Sequence, residues 1–80
     1  LVHAALLDMQ MPVLSGLDAI TRLHAEFADL PCILYSGALT PATAEMAAAW
    51  GAFAVLKKPV EPTLLRAEVL RALDHSPYLN

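Results

Sequence analysis

Three polar positions stand where short apolar runs stop. Asp8 follows residues 1–7 (LVHAALL), Ser36-Gly37 follows residues 30–35 (LPCILY), and Lys57-Lys58-Pro59 follows residues 52–56 (AFAVL). Taken singly each has an ordinary reading: an aspartate as turn residue or helix cap, a Ser-Gly pair as loop, a lysine before proline as a solvated strand end. Taken together they offer a carboxylate, a hydroxyl beside a glycine, and an ammonium. That set suits phosphoryl transfer to a carboxylate, which attacks phosphorus while the ammonium and hydroxyl stabilise the equatorial oxygens and a metal neutralises the remaining charge.

The elements that carry these residues follow from apolar spacing. Runs this short, without alternation, suit strands covered on both faces, as in a parallel sheet. Between them lie segments of helical period. Ser15 and Asp18 resemble a capping box, after which Leu17, Ile20, Leu23 or His24, and Phe27 recur at helical intervals until Pro31. Thr40-Pro41 reads as an N-cap and first helical residue, opening an alanine-rich helix to about Trp50, with Gly51 as its stop. A last helix starts near Pro62, places Leu65, Val69, Ala72 and Leu73 on one side, and ends around His75, before Pro77. The order strand, helix, strand, helix, strand, helix predicts an α/β fold with right-handed crossovers and a parallel sheet. Ligands of such sheets gather outside the carboxyl ends of the strands, so the three polar positions share one edge.

Composition narrows the function classes. The 80 residues are 58% hydrophobic and 16% charged, which fits one small folded domain and excludes disorder. No apolar run approaches the ~20 residues of a membrane span, and no cationic stretch leads into an apolar core as in a signal peptide. Five Lys plus Arg against eight Asp plus Glu argue against nucleic acid as a direct partner. The single cysteine, Cys32, excludes an internal disulfide framework and a cysteine zinc site. Set inside an apolar run, it reads as an inert buried thiol. Trp50 and Phe27 read as core or edge-of-core packing. These features point to a mildly acidic cytoplasmic domain.

The segment LLDMQMPVLSGLDAI resembles the phosphoacceptor stretch of response-regulator receiver domains, the aspartate-phosphorylated modules of two-component signalling. LPCILYSG resembles their fourth strand, and WGAFAVLKKPVEPTLL resembles the Gly-Ala and Lys-Pro segment leading into their last helix. The three blocks keep the family's order and spacing from Leu1 to about Leu73. The resemblance implies a CheY-like, flavodoxin-like fold in which Asp8 accepts a phosphoryl group from a phosphohistidine on a histidine kinase or histidine phosphotransfer domain. It implies that Asp8 and the backbone carbonyl of Gln10 bind Mg²⁺. Ser36 would hydrogen-bond a phosphoryl oxygen with the Gly37 N–H nearby, and Lys58 would pair with the phosphoryl group, Lys57 being a neighbour only. The Lys58-Pro59 bond is commonly cis in that family. Such a module promotes its own phosphorylation and is not expected to turn over a small-molecule substrate.

Two departures bear on that expectation. Val55 stands where an aromatic often acts as a rotating switch, and Tyr35 is not that position. The family fold has five strands, and residues 1–80 match only its third strand through its last helix. The acidic pair that supplies Mg²⁺ carboxylates belongs to the unmatched part, so the Mg²⁺ site within these residues is incomplete. The first strand would also present an open edge, which either pairs with a second copy or is covered by the unmatched half. The competing reading is a degenerate or truncated receiver that serves only as a structural or dimerisation domain.

Overall fold

Backbone pairing, rather than apolarity alone, sets where each strand begins. The computed structural model describes residues 3–9, 13–37 and 39–77. Its elements are β1 (Ala5–Met9), α1 (Val13–Glu26), β2 (Cys32–Ser36), α2 (Pro41–Ala49), β3 (Ala54–Lys57) and α3 (Pro62–His75). The three strands pair in parallel in the order β1-β2-β3, which is the α/β architecture the apolar spacing predicts.

Each strand starts later than its apolar run and extends through the polar residue expected to follow it. Asp8 lies inside β1, Ser36 closes β2 and Lys57 closes β3. The reason is that a ladder uses main-chain groups and is indifferent to side-chain polarity. The residues just ahead of β2 and β3 are already tied to the neighbouring strand: the Pro31 carbonyl accepts from the Ala5 N–H at 2.9 Å, and the Phe53 N–H donates to the Cys32 carbonyl at 2.8 Å.

The register sorts the side chains into two layers. Leu7, Leu34 and Val55 form a row on one face, where Leu17 and Ile20 of α1 and Ala47 of α2 cover them. Asp8, Tyr35 and Leu56 form the next row on the other face, which Leu65, Val69 and Ala72 of α3 line. Successive residues of a strand point to opposite faces, so the two rows belong to two cores. Both faces of β2 are covered, and Cys32, Ile33 and Leu34 are fully buried.

The helix ends have local causes. The Thr40 hydroxyl accepts from the Thr43 N–H at 3.2 Å, while the Thr43 hydroxyl accepts from the Thr40 N–H at 2.8 Å, a reciprocal cap with Pro41 just inside it. Gly51 follows α2 with φ +98°, a conformation that costs a residue with a Cβ. Asp29 takes φ 61° in the turn between α1 and β2, as aspartate tolerates.

Two expectations change. The first helix opens at Val13, so Ser15 is a first-turn residue and not the cap; that turn's N–H groups lack intrahelical partners, which makes serine tolerable there. Trp50 is half exposed at the C-cap of α2 and is not part of the core, whereas Phe27 does pack against it. The expectation placed on Gln10 lies outside the described residues.

Candidate functional site

The carboxyl ends of the strands bring two of the expected groups into direct contact. Asp8 leaves the penultimate position of β1 on the α3 face. Lys58 follows the last residue of β3, two positions past Leu56, and so returns to that face. Its ammonium pairs with Asp8 Oδ1. The carboxylate side chain is 59% exposed and the lysine side chain 22% exposed, so the carboxylate faces solvent while its cation is held against the protein. A pair this open contributes about 0–1 kcal/mol to stability.

The lysine is fixed at both ends. Its backbone N–H donates to the Ser36 carbonyl at 2.9 Å, carrying the β2–β3 ladder one step past the strand. The next peptide bond, Lys58-Pro59, is cis, as the resemblance leads one to expect. Its Nζ lies 4.9 Å from the centroid of the Tyr35 ring, within the range of a cation–π contact.

Ser36 is 1% exposed and shares its row with Lys57, the row facing away from α3. Its side chain therefore leaves the opposite face from Asp8. Gly37 follows at the exposed end of β2, and a Cβ there would meet Lys58 Cβ at an ordinary 3.9 Å. The glycine is thus not demanded by crowding. Lys57 lines a cavity of about 270 Å³ with Leu39, Thr40, Pro41 and Ala44, apart from the Asp8 pair.

A Mg²⁺ ion demands near-octahedral oxygen coordination. Among the described residues no group of three His, Cys, Asp or Glu side chains gathers to hold a metal. At this edge Asp8 supplies one carboxylate, already paired with an ammonium, and Gln10 lies outside the described residues. The described residues do not by themselves fit the ion.

At the opposite end of the sheet His24 is held by a contact its spacing did not reveal. Nε2 donates to the Leu30 carbonyl at 2.9 Å, and the Cys32 thiol reaches the same carbonyl at 3.4 Å. Burial pushes the Cys32 thiol above its ordinary value of 9.0, in keeping with an inert thiol. Sequence reasoning missed the contact between Tyr35 and Lys58 as well. The signal for it was one of parity, since Tyr35 must face opposite to Ser36, but the partner across the sheet depends on register.

A model of the response regulator receiver domain matches residues 2–70, and this chain belongs to that family. It is therefore a receiver domain of the two-component response regulators, a family that generally binds Mg²⁺ at its phosphorylation site and interacts with histidine kinases. The chain is 37% identical over 67 residues to the C4-dicarboxylate transport transcriptional regulatory protein DctD of Pseudomonas aeruginosa, covering 84% of this chain and 14% of that protein. A CheY-like receiver domain protein of Methanospirillum hungatei JF-1 superposes with a TM-score of 0.76 at 25% identity, covering 90% of this chain and 58% of that one. The beryllofluoride-activated NtrC4 receiver domain dimer gives 0.79 at 25% identity, covering 92% and 62%. NtrX from Brucella abortus, in complex with ADP, gives 0.76 at 28% identity, covering 90% and 16%. The chain thus spans a small fraction of the curated relative and about three-fifths of the two receiver structures. No helix among the described residues is long and apolar enough to cross a membrane.

Proposed function

We propose that this chain carries the phosphoacceptor of a two-component phosphorelay, with Asp8 taking a phosphoryl group from a phosphohistidine. The observation that supports it is the Asp8–Lys58 pair at the carboxyl edge of a parallel sheet. In the step, an Asp8 carboxylate oxygen forms a bond to phosphorus as the P–N bond to the donor imidazole breaks. The departing nitrogen keeps the bonding pair and takes a proton from solvent. Lys58 then balances charge that has moved from Asp8 onto the phosphoryl oxygens, a task an ammonium already seated there performs with little reorganisation. Ser36 supplies a hydroxyl to one phosphoryl oxygen and Gly37 an N–H to its neighbourhood. Mg²⁺ coordination by Asp8 and Gln10 belongs to the same reading, and ligands beyond the described residues must complete it.

On this reading residues 1–80 correspond to the third strand through the last helix of a five-stranded receiver. The 58% and 62% of the two receiver chains that are covered agree with it. The donor is a histidine kinase or a histidine phosphotransfer domain, and the setting is cytoplasmic. A second reading is a receiver used only for docking or dimerisation, and the likeness to the NtrC4 receiver domain dimer supports it.

Intact mass after incubation with Mg²⁺ and a small-molecule phosphodonor separates the two. A single phosphoryl adduct that disappears in Asp8→Asn establishes Asp8 as acceptor, and Lys58→Ala should slow its formation by about tenfold or more, as for loss of one charge-stabilising group. An adduct that persists in Asp8→Asn overturns the assignment. No adduct in the full-length protein favours the docking role.

A further inference from the structure

We propose that Tyr35 is a positioning residue for Lys58, its ring holding the ammonium over the sheet edge and aimed at the acceptor. The proposal rests on the reading of Asp8 as phosphoacceptor. Asp8, Tyr35 and Leu56 are register partners across all three strands, and Lys58 returns to their face two residues later. The half-buried Tyr35 ring therefore lies on β2, between the strand that bears the carboxylate and the strand that leads to the ammonium. The ammonium is 4.9 Å from the ring centroid while it pairs with Asp8.

A lysine side chain is a flexible four-carbon stem, and holding it in one geometry costs rotamer entropy. Something must offset that cost if the ammonium is to wait at the site. A second carboxylate would hold it but would add negative charge where an anionic phosphoryl group must arrive. An aromatic face attracts the cation through its quadrupole and adds no net charge. The attraction extends to about 6 Å from the centroid, so the ammonium can shift from the carboxylate to phosphoryl oxygens without leaving the ring. A ring at this position thus favours the paired geometry before transfer and tolerates the displacement that transfer needs.

The test uses the full-length protein with Tyr35→Phe and Tyr35→Leu, and Tyr35→Met as a second ring-free variant should leucine fail to fold by circular dichroism. One arm is independent of phosphorylation: a zero-length carbodiimide joins Asp8 to Lys58 with loss of one water, and peptide mapping gives the yield. The other follows the rate of phosphoryl adduct formation against concentration of a small-molecule phosphodonor. The ring-free variants should lose crosslink yield and slow the saturating rate by about fivefold with KM unchanged, while Tyr35→Phe keeps both near wild type. Unchanged crosslinking without the ring overturns the proposal, as does a Tyr35→Phe variant as impaired as the ring-free ones. If the wild type accepts no phosphoryl group, the reading of Asp8 fails by itself. The crosslink arm then decides alone whether Tyr35 places the lysine.

Discussion

His24 and Gly51 meet at the amino end of the sheet, away from Asp8 at its carboxyl edge. A Cβ built on Gly51 would lie 3.3 Å from His24 Cε1, and the backbone there has φ +98°. Both facts disfavour a side chain, the first through crowding and the second through the left-handed conformation. Gly51→Ala should therefore lower stability by about 1–2 kcal/mol in urea unfolding, the size expected for a Cβ in that region. In a His24→Ala background the contact is gone and the strain remains, so the same substitution should cost less. The glycine itself was legible in the sequence as a helix stop. Its second role was not, because the histidine it faces comes from α1, and no spacing rule links positions so far apart.

At the scale of elements, α2 depends most on its ends. It is nine residues long, rich in alanine, and buries only Ala47, so the packing that stabilises most helices is thin here. The Thr40–Thr43 cap and Pro41 take on a larger share. Thr40→Ala removes the side-chain acceptor and should cost about 1 kcal/mol in thermal or urea denaturation, with Thr40→Asp recovering most of it. This end was readable from Thr40-Pro41 alone because caps are local chemistry. The start of α1 was less so: Ser15 and Asp18 have the right types for a box, yet the helix already runs at Val13. The strands show the same limit. Residues 30–34 are buried and 52–55 partly buried, and this covering extends past the point where main-chain pairing begins. Apolar spacing therefore located each strand but displaced its bounds toward the amino end.

Over the whole molecule the sheet divides two cores, and Cys32 sits fully buried in the one facing α1 and α2. Its thiol is pushed up by desolvation from 9.0. A group whose folded value exceeds its unfolded value binds more protons in the folded state between the two. Its contribution to stability is full below the unfolded value and is lost as pH rises through the folded one. Unfolding free energy should therefore decline above about pH 9, and Cys32→Ala should show a shallower decline from a lower starting point, compared in parallel urea titrations. The carboxyl-edge constellation was legible at this scale because parallel strands align their ends. Asp8 and Lys58 were brought together as the motif order implied, whereas Ser36 was separated by the two-residue period of a strand, which the motif order does not encode.

The hydrogen bond from the Lys58 N–H to the Ser36 carbonyl carries a consequence for how such a chain can drift. Every amino acid at position 36 brings the same carbonyl, so the tether that seats the lysine is blind to what side chain evolves there. Position 58 has no such latitude, since a proline would lack the N–H even before its missing charge mattered. Variation at 36 can thus be screened for its effect on signalling without relocating the cation, while variation at 58 changes tether and charge together.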